Sequence, residues 1–243
     1  MPANTAMGIV SGSHAARRLA QGIQASVALV LVLLAYGWRL APAAVPIAAA
    51  AVLLAYALFA HVSVAIAKET SPRIQWVTLA CGVASATVLI GALVVQYFGR
   101  AINNAPMVTI VFAMWLVAGI AATARTRRIR DAVIASTLSA QIGSLANVGF
   151  ILASYYVLRG SALQEQFFRI EGTYEDFARS GIGDFAAFVI GDLFGGAFFH
   201  LLFGGLFGVI LGTLGGAVTI GLFRVLKVSQ DRSSESPWLY SNS

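Results

Sequence analysis

The sequence predicts an all-α membrane protein, a polytopic bundle of six transmembrane helices with an additional interfacial or re-entrant helix before the last span. Three observations predict it. Apolar residues make up 58% of the chain and charged ones 11%, and the mean hydropathy of +0.81 lies far above that of a soluble domain. Apolar runs long enough to cross a bilayer recur along the chain, separated by short clusters of Arg, Lys, Gly and Asn. In the last run Gly204, Gly208, Gly212 and Gly216 recur at every fourth position, and the same stripe continues upstream through His200 and Gly196 to Asp192. A ridge without side chains lets another backbone approach closely, which is how helices associate where lipid removes the hydrophobic drive between them.

Residues 1–22 form a cytoplasmic tail ending near Arg17 and Arg18, and a single transmembrane domain covers 23–228. The first span, 23–38, is bracketed by those arginines and Arg39. Its charged start and the small residues Ala41 to Ala44 resemble a secretory signal, but the lead before it is long, so a retained helix is expected. The second span, 45–67, has Pro46 in its first turn, where the missing N–H would be unpaired anyway, and ends at Lys68, Glu69 and Arg73. The third span, 74–98, meets a turn built on Gly99, Arg100, Asn103 and Asn104. The fourth, 105–124, leads to Arg125, Arg127, Arg128 and Arg130, a basic cluster that sets topology and faces anionic lipid headgroups; a nucleic-acid partner is not expected. The fifth, 132–158, is the most polar, with Thr137, Gln141, Ser144, Asn147 and Ser154 on one side of a helix.

The connection from Arg159 to Asp184 holds five of the ten acidic residues among Phe167, Phe168, Tyr174 and Phe177, a mixture that suits a short amphipathic helix capping the outer mouth of the bundle. From Phe185 to Leu226 the chain is apolar except at Asp192, His200 and Arg224. One helix over that stretch would be about twice the hydrocarbon thickness. A break is therefore expected at Gly195-Gly196 or Gly204-Gly205, giving an interfacial or re-entrant helix over 184–202 and a span over 203–226. Residues 229–243 read as a disordered cytoplasmic tail.

Charge chooses between six spans and seven. With six spans and both termini in the cytoplasm of an inner membrane, eleven of the sixteen basic residues lie inside and only Arg39, Arg100, Arg159, Arg169 and Arg179 outside. Seven spans would erase that asymmetry.

The chemistry-bearing residues are few. There is no phosphate loop, HExxH or nucleophile elbow, the lone Cys81 sits in an apolar run, and the three histidines lie far apart, so no cofactor and no metal site are expected. Asp192 is the one acid inside a long apolar run, where an ionisable group is costly and a default functional candidate; a hydrated interfacial aspartate is the plainer alternative. On a helix His200 lies about 12 Å farther along and about 80° around, so the two need other partners.

Two functions follow, with a third behind them. The first is a non-enzymatic subunit or scaffold whose helix-packing residues Gly196, Gly204, Gly208, Gly212 and Gly216 bind a partner helix of another subunit or a second copy, or else pack within the chain. The second is a small-solute or ion transporter whose path is lined by Asp192, His200, Gln141 and Asn147. An intramembrane enzyme using Asp192 as acid or base comes third.

Overall fold

Small residues decide which helix lies at the centre. The computed structural model of the protein describes residues 18, 21–36, 46–69, 71–100 and 102–234. They form eight helices: α1 (Gln21–Tyr36), α2 (Pro46–Glu69), α3 (Pro72–Tyr97), α4 (Asn104–Thr126), α5 (Ile129–Val157), α6 (Ala162–Ile170), α7 (Thr173–Ser180) and α8 (Phe185–Ser234). Helix α5 carries Ala132, Ala135, Ser136, Ser139 and Ala140, all fully buried, because residues this small let α3, α4 and α8 close around it. Two thirds of its apolar stretch is buried, against a third or less in α3, α4 and α8, whose outer faces keep large apolar side chains for lipid.

Four described helices, α3, α4, α5 and α8, are long and apolar enough to cross a membrane, and α1 and α2 add shorter apolar stretches, Gln21–Tyr36 and Ala50–Ser63. Helix α2 begins at Pro46. Residues 37–45, with the signal-like site at Ala41 to Ala44, lie outside the described residues. The turn after α3 is made by Gly99 at φ +81° and by Asn103, whose side chain accepts from the Ala105 amide at 3.0 Å to cap α4. At the other end Arg127 adopts the left-handed conformation and closes α4 through its own N–H to Thr123 O.

Helix α8 corrects the expectation of a break. Residues 185–234 form one continuous helix, so no separate interfacial or re-entrant helix covers 184–202, and the helical chain continues beyond residue 229 to Ser234. Paired glycines weaken a helix by about 1 kcal/mol each in water, whereas a break would leave several backbone groups unpaired in apolar surroundings at several kcal/mol each. Continuity wins. The excess length is tolerated because the first turns are covered: Phe185 packs on Phe168, Tyr174 and Phe177 from α6 and α7, at centroid separations of 5.5, 4.9 and 5.2 Å. Asp184 caps these turns, its Oδ1 accepting from the Ala186 amide at 2.8 Å. An unbroken helix crosses a bilayer once, so the seven-span arrangement has no counterpart here.

Helices α5 and α8 run antiparallel along the glycine stripe. A methyl group placed on Gly208 would lie 2.5 Å from Thr137 Cα, and one on Gly212 would lie 2.7 Å from Val133 Cα and 2.8 Å from Ala132 O. Gly204 sits over Ser144, and Gly216 over Ala132 and Ile129. Helix α4 comes in parallel to α8 on the flank of the same ridge, where a methyl on Gly119 would stand 3.1 Å from Gly212 Cα. Helix α3 lies parallel to α5, with Ser139 Oγ donating to Thr78 O at 2.9 Å and Tyr97 OH paired with Ser154 Oγ at 2.8 Å. On the opposite flank Tyr56 of α2 donates to Ala197 O at 3.0 Å and Tyr156 donates to Leu33 O of α1 at 3.1 Å.

The two ends of the bundle differ in charge. Arg125, Arg127, Arg128 and Arg130 gather at the α4–α5 turn, and the guanidinium of Arg127 lies 3.1 Å from the ring centre of Phe223, bringing Arg224 and Lys227 to the same end. At the other end lie α6 and α7, with Glu165, Glu171, Glu175 and Asp176.

Candidate functional site

The cap formed by α6 and α7 follows from their patterning. Both helices place aromatic residues on one face and charges on the other, and left-handed Gly160 and Gly172 let the chain turn sharply before each. Ser161 caps α6 by accepting from the Gln164 amide at 3.2 Å. Gln164, itself buried, donates from Nε2 to Tyr155 O at 3.0 Å and accepts from the Gly160 amide at 2.9 Å, fastening the cap to the end of α5. Tyr97 stacks on Phe167 at 4.4 Å and ties it to α3.

Beneath this cap lies a cavity of about 330 Å³ between α3, the start of α4, α5 and α8. Asp192, Gly196 and His200 line it from α8, Asn147 and Tyr155 from α5, Gln96 and Tyr97 from α3, and Glu171 from the cap. Asp192, His200 and Asn147, separated by up to 53 positions in sequence, thus share one space. Asn147 is only 4% exposed, and its Oδ1 has no hydrogen-bond partner. Glu171 accepts from Gln96 Nε2 at 2.7 Å. Part of its surface faces water, but burial against α3 pushes its carboxyl above the usual glutamate range.

Gln141 lies elsewhere. Its Nε2 donates to Leu201 O at 2.9 Å, a clamp between α5 and α8 below the cavity. Thr137 and Ser144 likewise sit under Gly208 and Gly204, so most of the polar side of α5 faces the glycine ridge and only part of it faces open space. Gly196 departs from its expected packing role: a methyl group there would meet nothing within 4 Å, because the stripe at this level borders the cavity instead of α5. Gly204, Gly208, Gly212 and Gly216 all abut backbone or short side chains of α5.

Two of the cations at this end, Arg169 and Arg179, are engaged locally. Arg169 pairs with Glu165 at 2.9 Å and Arg179 pairs with Asp176, each within its own short helix. Tyr174 also donates to Glu165, and these two contacts hold the Glu165 carboxyl below its ordinary range. Arg39 lies outside the described residues. His61 is exposed on α2, and Cys81 is half-buried against the cluster of Ile74, Ala118, Ala122 and Ala135.

Glu171, Gln96, Tyr97 and Gln164 escaped the sequence reading. Gln96 and Tyr97 carried a signal, polar groups closing an otherwise apolar run; Glu171 was one acid among several and nothing in its spacing set it apart. A second and larger crevice, about 1260 Å³, lies between α1 and α3 over Ile142 and Leu145 and is mainly apolar, with Arg18, Ser26, Gln75 and Thr87 on its wall. No family model matches this chain, and no match was found among curated proteins or solved structures.

Proposed function

We propose that this protein is a multi-pass membrane transporter that passes a small solute through the cavity beneath the α6–α7 cap. The observation that carries the reading is the convergence of Asp192, His200 and Asn147 on one cavity of about 330 Å³, at the small end of the range that ligand sites occupy. An ionisable side chain in an apolar helix is costly to keep and marks a solute or ion path more often than a packing position. The α6–α7 cap, held by Gln164 and by the Gln96–Glu171 bond, is placed to gate that path.

In this reading α1 and α2 supply two further crossings, making six, and the basic α4–α5 turn faces the cytoplasm of an inner membrane. Arg125, Arg128 and Arg130 there meet anionic lipid headgroups. The subunit reading is the weaker one, because the faces of Gly204, Gly208, Gly212 and Gly216 that would dock a partner helix already abut α5. A homo-oligomer would have to form through another face.

The test uses purified protein in proteoliposomes offered a panel of small charged and neutral solutes. Protein-dependent flux of at least one solute is expected, and Asp192→Asn should abolish it while leaving the melting temperature unchanged. Absence of flux for every solute, or full flux in both Asp192→Asn and Asn147→Ala, refutes the proposal.

A further inference from the structure

We infer that the cavity beneath the cap takes a small organic cation bearing at least one N–H group, an alkyl- or arylammonium; this rests on the cavity's being a solute site. Asp192 and Glu171 both line the cavity, and no Lys or Arg is among the described residues that do. An anion would enter against two carboxylates with no Lys or Arg on the described wall to meet it, His200 being the one basic side chain there.

Hydrogen bonding points the same way, independently of charge. Asn147 is 96% buried, lines the cavity and leaves Oδ1 without a donor, and a buried acceptor of this kind is rarely left unpaired in a native protein. Of the side-chain amides on its wall, Gln96 donates to Glu171 at 2.7 Å and Gln164 to Tyr155 O at 3.0 Å, and those of Asn104 and Asn147 remain. The charged groups the cavity offers are carboxylates, and an ammonium N–H is the group that satisfies an amide oxygen and a carboxylate together.

Size and walls separate an organic cation from a metal ion. Among the described residues no three His, Cys, Asp or Glu groups stand close enough to hold a metal. The space is several times what a bare ion fills, and the stacked rings of Tyr97 and Phe167 form part of its wall, a surface suited to a hydrocarbon body and to a cation over a ring face.

Three probes on one phenylpropyl skeleton and of different charge test the inference: 3-phenylpropylammonium, neutral 3-phenyl-1-propanol and anionic 3-phenylpropionate, titrated calorimetrically into the full chain in detergent at neutral pH. The cation should bind at least about tenfold more tightly than the other two, and Asp192→Asn, Glu171→Gln and Asn147→Ala should each weaken it about tenfold or more. Unchanged helical content and melting temperature show that a variant remains folded, and Asn147→Asp, which keeps an acceptor, should retain binding. Equal binding of the neutral probe, tighter binding of the anion, or binding of none overturns the inference. Vesicle flux separates the two levels: neutral-probe flux with no preference for charge keeps the transporter and removes the cation, whereas cation binding without flux keeps the cation site and removes the transporter.

Discussion

Replacing the ridge glycines by alanine one at a time should give a stability series that follows the local geometry of the α5–α8 seam. At Gly208 the new methyl would stand 2.5 Å from Thr137 Cα, and at Gly212 it would stand 2.7 Å from Val133 Cα. Carbon atoms settle at about 3.5–4.0 Å, so the two backbones must part by roughly 1 Å at either site. Backbone cannot rotate away as a side chain can. A gap of that size forfeits about a quarter to a half of each dispersion contact along the seam, and overpacking of this kind costs about 1–3 kcal/mol. After a helix-propensity gain of about 1 kcal/mol, Gly208→Ala and Gly212→Ala, with backbone as the obstacle, should lose up to about 2 kcal/mol. Gly204→Ala should lose less, about 1 kcal/mol, because the atom it meets is Ser144 Oγ, which can turn aside. Gly196→Ala, facing open space, should be neutral or stabilised by a few tenths of a kcal/mol. Unfolding by sodium dodecyl sulfate in mixed micelles, followed by circular dichroism, measures the order. If Gly208→Ala proves as stable as Gly196→Ala, the close backbone approach is refuted.

Two further predictions concern single contacts. Tyr56 is buried and its hydroxyl donates to Ala197 O, so Tyr56→Phe should cost about 1 kcal/mol in the same assay, while Tyr56→Ala, which also empties the ring's volume, should cost about 3 kcal/mol or more; equal losses would show that the ring's packing contributes nothing. The Glu171 carboxyl is raised by burial, so the folded protein holds its proton where the unfolded chain has released it, and stability falls as pH rises from the ordinary glutamate range through the folded value. Glu171→Gln should flatten that part of the profile of melting temperature against pH and raise stability at neutral pH; a profile identical to wild type would remove the assigned cause. Glu165, held low by Tyr174 and Arg169, acts with the opposite sign and loses its contribution as pH falls, so the difference between wild type and Glu171→Gln isolates Glu171.

The ends of α2, α3, α4 and α5 were legible to within a few residues because Pro46, Gly99, Asn103 and the Arg125–Arg130 cluster are local signals, acting on the turn in which they stand. The cap was legible in kind, since an acidic, aromatic connection must lie flat with its rings inward, although it folds as two short helices where one was expected. The error at Gly195-Gly196 and Gly204-Gly205 came from weighing glycine's weakness in water against bilayer thickness. The continuous α8 reflects two things a local reading omits: the penalty for unpaired backbone away from water, and the cover that Phe168, Tyr174 and Phe177 give to its first turns.

The amino-acid order by itself determined that this chain is a set of apolar helices, with one charged end and one close-packing ridge, because a backbone out of water must satisfy its hydrogen bonds within each segment and so has little choice of conformation. Only the tertiary structure decided that the ridge from Gly204 to Gly216 faces α5, that Gly196 borders open space, and that Asn147 joins Asp192, His200 and Glu171 while Gln141, six residues away, does not. Those outcomes depend on how the helices cross and in what register. A shift of one residue turns a helix by about 100° and carries a side chain from a cavity wall into a seam.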